Sequence, residues 1–436
     1  MFLLFPLPAL AHTLLIASVA IFTLAGIMIR PFKLDEARIA LGGAGLLLIA
    51  GLINPLDALA TLLQDWNIFF FFLGMMTLSA LVDAAGLFDW LAAQAARLSG
   101  GSARRLFFNV FILGSLISMI LSNDATALIL TPIVYTLVTR LRLPALPFLF
   151  ACTFIADTAS FLLPVSNPIN IIVLSTFKLD LWTFLRLLFI PALVVISINM
   201  LVFFLLYRNK LRGQFDIKRL ATAAEAIRHR AYFRYTCGVL LLVALAYIVA
   251  SAAQFPLSIV AVAGAALLLA GALRWKQATV RDVSRHVSWS IFGFIAGMFI
   301  LVRAVENTHL TAQFGQLLLS LSGGHSFGAV MIGTAGATLG TNLINNVPMA
   351  VVLTSALHSA QHAALPTRLG FIAATIFGCD LGPNLTTVGS LATVLWLLLL
   401  RRRNIEVSGL DYFKVGIIVT PFMLAAGALT IWLLLR

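Results

Sequence analysis

The sequence predicts an all-α polytopic membrane protein. It is built of two inverted-topology repeats, with about ten transmembrane helices plus two opposed re-entrant hairpins and two discontinuous helices. Three observations predict this fold. The chain has 436 residues, 61% hydrophobic and only 10% charged, where soluble domains carry roughly 25% charged residues. Apolar runs recur at about 20 residues, the length of a helix that crosses a bilayer. Finally, one sequence pattern occurs twice at a fixed offset, and the basic residues gather in short loops.

The offset is 289 − 66 = 223. It carries WNIFFFFLGMMTL at Trp66 onto WSIFGFIAGMFIL at Trp289, with seven of thirteen positions identical. Without a gap it carries LSGG at 98–101 onto LSGG at 321–324, Asn123 onto Asn346, and Asp157 onto Asp380. Phe-rich helices match cheaply, but the Trp, Gly-Met, LSGG, Asn and Asp matches hold one register. The expected division is a first repeat over 1–207, a basic linker over 208–233 facing the cytoplasm, and a second repeat over 234–436.

The elements follow in order. MFLLFPLPALAHTLLIASVA has no Lys or Arg before its apolar run. A signal peptide wants a positive start, so this reads as a first membrane helix. Spans are expected at 9–29, 38–54, 67–86, 145–175 and 184–207, with 88–98 amphipathic and lying at the interface. Segment 105–139 carries Ser122, Asn123 and Asp124 in its middle. Arg104 and Arg105 precede it, and Arg140 and Arg142 follow it. Basic flanks at both ends place both ends on one side, so the segment is a hairpin that turns at SND. Each half then crosses five times, and an odd number inverts the second half. Its hairpin is expected at about 325–362, entering from the opposite side, and its broken helix at about 369–400. The loops at 30–38, 97–105, 140–142, 274–285 and 401–403 carry the basic residues, whereas 54–66 and 253–257 have none. Lys178, Arg186 and Arg368 are minor exceptions. Both termini are expected outside. The net charge of +13 is thus the signature of membrane topology and does not indicate nucleic acid.

Helix breaks at membrane depth persist only where protein or a cavity surrounds them. Four stand out. Two are the hairpin tips, Ser122-Asn123-Asp124 and NLINNVP with Asn345 and Asn346. Two are DTASFLLPVSNPIN (157–170), broken by Pro164 and Pro168, and DLGPNLTTVGSLAT (380–393), broken by Gly382 and Pro383. Proline and the residue before it discourage helix continuation. The small polar residues there are Ser166, Asn167 and Asn170, then Asn384, Thr386, Thr387, Ser390 and Thr393. Capping alone accounts for Ser and Asn at such positions. Contact with a ligand at mid-membrane is the functional alternative. Asp124, Asp157 and Asp380 each cost roughly 3 kcal/mol at the bilayer centre unless paired or protonated. They are candidates for proton coupling, or for a sodium site. Asp83 and Glu306 lie near span ends and read as interfacial. His358 and His362 sit four apart without a third ligand, and the three cysteines lack metal spacing. No P-loop is present. No cofactor, metal or enzymatic activity is expected.

With these residues in hand, the chain resembles the bacterial arsenite/antimonite efflux permeases, the arsenical pump membrane proteins of the ion-transporter superfamily. The likeness covers nearly the whole chain. It is strongest at SNDATALILTPIV (122–134), ADTASFLLPVSNPINIIV (156–173), NLINNVPMAVV (342–352) and GCDLGPNLTTVGSLATVLWL (378–397). Family members commonly have Asn where Cys379 stands, Lys where Asn384 stands and Gly where Thr126 stands. The resemblance implies export of trivalent arsenic and antimony in exchange for protons, across the bacterial inner membrane. It also implies a soluble arsenite-stimulated ATPase subunit as a partner in some systems. Arsenite at neutral pH is an uncharged trihydroxide. A site of amides and hydroxyls without Arg or Lys suits it, where a carboxylate substrate would attract basic residues. Competing expectations are a sodium-coupled anion or dicarboxylate transporter, a sodium/proton antiporter, or a passive channel. Cys379 offers one thiol, which is no chelate, so no essential metalloid contact is expected from it.

Overall fold

In a computed structural model, residues 8–29, 34–123, 126–216, 225, 227–253, 255–358 and 362–436 are described. Asp124 lies outside them. Twenty α-helices make up the described chain. The first half holds α1 (Ala9–Ile29), α2 (Glu36–Ile49), α3 (Pro55–Gln64), α4 (Trp66–Ala84), α5 (Leu87–Leu98), α6 (Ala103–Ile120), α7 (Thr131–Arg140), α8 (Ala145–Thr158), α9 (Pro168–Phe177) and α10 (Leu181–Tyr207). The second holds α11 (Arg230–Ala252), α12 (Leu257–Arg274), α13 (Val280–His286), α14 (Trp289–Glu306), α15 (Leu310–Leu321), α16 (Ser326–Ile344), α17 (Asn346–Leu357), α18 (Leu365–Leu381), α19 (Leu391–Arg402) and α20 (Gly409–Leu434). Nine are long and apolar enough to cross a membrane. This is a multi-pass membrane protein.

The helix bounds keep the sequence offset. The α5 bounds plus 223 give 310 and 321, the bounds of α15. The starts of α6 and α9 map onto those of α16 and α19, since 103 + 223 = 326 and 168 + 223 = 391. The halves also interlock reciprocally: α4 packs on α12, and α14 packs on α2. Glycine makes both crossings possible. A Cβ at Gly74 would lie 2.7 Å from the Ala261 carbonyl carbon, and one at Gly297 would lie 2.5 Å from that of Ala40. The two glycines are 223 apart, so one close crossing is built twice.

Inversion follows from helix direction. Asp65, at the start of α4, shares a cavity with Glu306, at the end of α14. Asp83, at the end of α4, shares another with Ser288, at the start of α14. The two helices therefore run antiparallel. Amphipathic α5 follows α4 on one face, and α15 follows α14 on the other. Both arms of the first hairpin, α6 and α7, pack on α5; both arms of the second, α16 and α17, pack on α15. The hairpins thus open on opposite faces. The α5 face carries the linker: Ala103 N–H donates to Gly213 O at 3.1 Å, and Phe215 N–H to Gly101 O at 2.9 Å. This is the basic face.

The tips and breaks form where the sequence places them. The first return arm begins as a π-helical turn, Thr126–Leu130, before α7. The second tip turns through Asn345, whose φ of 76° and ψ of 158° lie in a region that side chains rarely adopt. Such backbone strain costs of order 1–3 kcal/mol and persists where the surroundings impose it. The first broken helix is α8, a 3-10 turn Pro164–Ser166, then α9; the second is α18, a 3-10 turn Gly382–Asn384, then α19. α17 stops at Leu357, just before His358, and 359–361, which lead to His362, lie outside the described residues. Among the described residues no group of three His, Cys, Asp or Glu could hold a metal.

Candidate functional site

The site begins with two helix N-termini. Asn167 caps α9 by accepting from Ile169 N–H at 3.1 Å. Ser390 caps α19 by accepting from Ala392 N–H at 3.2 Å. The offset maps cap to cap and donor to donor: 167 + 223 = 390 and 169 + 223 = 392. Both positions are extended, φ −144° at Asn167 and −140° at Ser390, as N-caps require. Asn345 caps α17 in the same manner, accepting from Val347 N–H at 3.4 Å. Three helix N-termini thus converge at mid-protein, where aligned amides favour electron-rich ligand atoms.

Between them lies a cavity of about 40 Å³ lined by Asn123, Asn167, Asn345, Asn346 and Ser390, with an apolar wall of Phe72, Ile291, Phe294 and Ile295. Both hairpin tips and both breaks contribute to it. Among the described residues no Lys or Arg lines it. A water's share of liquid volume is about 30 Å³, so the cavity admits only a very small solute.

Two larger cavities open on opposite faces. One, about 400 Å³, is lined by Met76, Ser79, Asp83, Leu128, Pro132, Ser288 and Ile291 among others. The other, about 590 Å³, is lined by Phe299, Val302, Glu306, Val351, Ser355, Asp65 and Ile68. Every residue of the first set maps onto one of the second by the 223 offset. The first also reaches Ser122 and shares Ile291 with the central cavity. The second shares no lining residue with it. Among the described residues, the central cavity thus shares a lining residue with the vestibule at Asp83 and none with the one at Glu306.

The vestibules differ in charge. At the α15 mouth, Arg303 pairs with Asp57 and with Glu306, each at 3.3 Å. Hydrogen bonds from Asn307 and Arg303 hold the Asp57 carboxyl below its ordinary value. Burial, with the nearby Glu306 charge, pushes Asp65 up to about 6. At the α5 mouth, Asp83, Asp89, Arg228 and His286 share the wall.

The carboxylates sit behind the central cavity. Asp157 and Asp380 are 1% and 0% exposed. Asn123 Nδ2 donates to Asp157 Oδ1 at 3.5 Å, and Asn167 Nδ2 donates to Asp380 Oδ1 at 2.7 Å. The second bond joins the two halves. Ser160 completes the bridge: its hydroxyl donates to Asp157 O at 2.7 Å and accepts from Asn167 Nδ2 at 3.4 Å.

Other sequence candidates face elsewhere. Ser166 Oγ donates to Met119 O at 2.8 Å. Asn170 Nδ2 donates to Ser160 O at 2.8 Å and Leu163 O at 3.0 Å. These two hold the first break in shape. Thr386 Oγ1 donates to Asn342 Oδ1 at 2.6 Å, and Asn342 Nδ2 to Gly382 O at 2.8 Å, so Thr386 braces the second break. Thr387 is half-buried and Thr393 is buried, and neither lines the cavity. Cys379 is fully buried and outside the cavity lining.

Sequence reasoning missed one network. Asn199 and Asn384 donate to Thr158 Oγ1 at 2.8 and 3.2 Å, and Thr158 donates to Phe154 O at 2.6 Å. The available signal was Asn199 itself, an amide within the 27-residue apolar α10.

Comparison with known proteins agrees over almost the full length. The family model described as arsenical pump membrane protein matches residues 15–433. An arsenical pump membrane protein of Escherichia coli is 31% identical over 411 residues, covering 93% of this chain and 95% of that protein. One from Yersinia enterocolitica is 31% identical over 418 residues, covering 93% and 95%. A 46 kDa membrane protein of Mycobacterium leprae is 28% identical over 431 residues, covering 96% and 98%. The crystal structure of the Alcanivorax borkumensis YdaH transporter, described as having an unusual topology, superposes with a TM-score of 0.58 at 15% identity, covering 97% of this chain and 98% of that one. At that identity it shares the fold alone. By sequence over nearly its whole length, this chain belongs to the arsenical pump membrane protein family.

Proposed function

We propose that the protein is a secondary active transporter that exports neutral trivalent metalloid hydroxide, arsenite or antimonite, in exchange for protons by alternating access. The observation that carries this reading is the central cavity: small, walled by four amides and a hydroxyl, free of Lys and Arg, and set between two opposed vestibules. A neutral trihydroxide both donates and accepts through every oxygen. Amides and a serine hydroxyl match that pattern, since each has donor and acceptor groups. A dicarboxylate would leave its charges without cationic partners here. The E. coli and Yersinia relatives are named as arsenical pumps, which supports the metalloid.

Asp157 and Asp380 are the proton carriers in this reading, with Asp124 a further candidate. The basic face is the cytoplasmic one by the positive-inside rule, which puts both termini outside in a bacterial inner membrane. The two repeats, 1–207 and 234–436, are the units that exchange access. The basic linker 208–233 and its face are where a soluble ATPase subunit would dock.

Everted membrane vesicles carrying the protein test the reading. Arsenite uptake should require an imposed proton gradient and be indifferent to replacement of sodium by potassium. Uptake that survives collapse of the proton gradient but needs sodium refutes proton exchange in favour of a sodium-coupled carrier.

A further inference from the structure

The two halves use the same cap position differently. Ser390 caps α19. Asn167 caps α9 and also reaches Asp380 across the repeat boundary, at 2.7 Å. Its mirror contact, Ser390 to Asp157, is not made among the described residues; Asp157 is met by the hairpin tip at Asn123 instead.

The amide of Asn167 has one possible orientation. Ile169 N–H can only donate, so the atom facing it is the amide oxygen. The amide nitrogen must then face Asp380. That nitrogen requires an acceptor, which an ionised carboxylate supplies best, since a hydrogen bond to a charged group is stronger than one between neutral partners. Asp380 Oδ2, buried and without a hydrogen bond among the described residues, is the atom left to take a proton. The amide oxygen of Asn167 retains a second lone pair, and Asn167 lines the cavity.

We propose that Asn167 is the positioning residue that transmits the protonation state of Asp380 to the substrate cavity, so that proton and metalloid hydroxide are bound in alternation. An ionised Asp380 pins the amide, and the pinned oxygen accepts from a substrate hydroxyl. A protonated Asp380 loosens the pin, and the cavity loses a fixed acceptor. Only the first repeat carries this relay, since Ser390 stands at the equivalent position in the second. The inference rests on the transport function proposed above.

The elements packed on α18 are α8, α9, α10, α16, α17 and α20. The titratable and charged groups they contribute are Cys152 and Asp157 on α8, Arg186 and Tyr207 on α10, and Asp411, Tyr412 and Lys414 on α20. Helices α9, α16 and α17 contribute none, and α18 itself adds Arg368 and Cys379. Asp157 meets this network through its main chain: Ser160 accepts from Asn167 Nδ2 and donates to the Asp157 carbonyl oxygen.

The test is the pH dependence of arsenite uptake by purified protein in proteoliposomes under a fixed imposed gradient, resolved into KM and maximal rate. In the wild type, KM should rise as pH falls on the uptake side, approaching about tenfold per pH unit, the limit for one competing proton. Asn167→Ser copies the other half, keeps a cap and loses the reach. Its KM should be raised and flat with pH. Asn167→Asp keeps the cap and sets a second carboxylate against Asp380, so its KM profile should move to higher pH. A wild-type slope in Asn167→Ser, or an unshifted profile in Asn167→Asp, overturns the relay. Absence of arsenite uptake in the wild type itself overturns the transport reading instead, so the two failures are distinct.

Discussion

Thr158→Val isolates the buried network that ties the two halves behind the site. The substitution keeps the shape and removes one hydroxyl. That oxygen accepts from Asn199 on α10 at 2.8 Å and from Asn384 within the second break at 3.2 Å. Both amides are 0% exposed, so neither can turn to water. In a soluble core, two orphaned donors would cost about 1–3 kcal/mol each. In a bilayer the unfolded helices also find partners, and measured values average about 0.6 kcal/mol per bond, with a maximum near 1.7. The expected loss is therefore about 1–3 kcal/mol. Thr158→Ser, which keeps the hydroxyl, should recover most of it. The assay is equilibrium unfolding in mixed detergent micelles, followed by far-ultraviolet circular dichroism. Adding Asn199→Leu to Thr158→Val should cost less than the sum of the two singles, because one broken bond is shared. A Thr158→Val protein as stable as wild type, or strictly additive losses, would refute the view that this hydroxyl holds the halves together.

Gly74→Ala and Gly297→Ala should each destabilise by about 1–3 kcal/mol in the same unfolding assay, because each new Cβ meets a partner backbone that cannot retreat. Asn345→Ala should raise the KM for arsenite, since it removes both a cavity amide and the α17 cap while keeping the strained φ. Direct uptake measurements against a range of arsenite concentrations check it. Asp65 has a carboxyl raised to about 6, so the folded protein holds this proton more tightly than the unfolded chain does. Its contribution therefore favours folding increasingly as pH falls from above 6 toward 4, and is lost as pH rises through about 6. Asp65→Asn should flatten that part of the stability curve, measured by unfolding at pH 5 and pH 7.5. Replacing Cys152, Cys237 and Cys379 together by Ala should leave proton-driven uptake intact, and its loss would identify a thiol contact with the metalloid.

The sequence by itself determined the class of fold, the repeat offset and the places where helices break. Those are local or periodic properties: apolar length, basic flanks, Pro and Gly at fixed positions, and a register that survives in Trp, Gly, Asn and Asp. It also singled out the candidate polar residues as a set, because small polar side chains at membrane depth are costly enough to be visible. What it could not do was sort them. Ser166, Asn170 and Thr386 have the same chemistry as Asn123, Asn167 and Ser390, yet the first three spend their hydrogen bonds on nearby backbone or on Asn342, and the last three line the cavity. Only the tertiary structure decides this, because it depends on which way each side chain points after the breaks have turned. The bond from Asn167 to Asp380, separated by 213 residues, is the clearest case. Two equivalent caps in two homologous halves differ in length and in functional group, and packing alone brings a carboxylate within reach of the longer one's amide nitrogen.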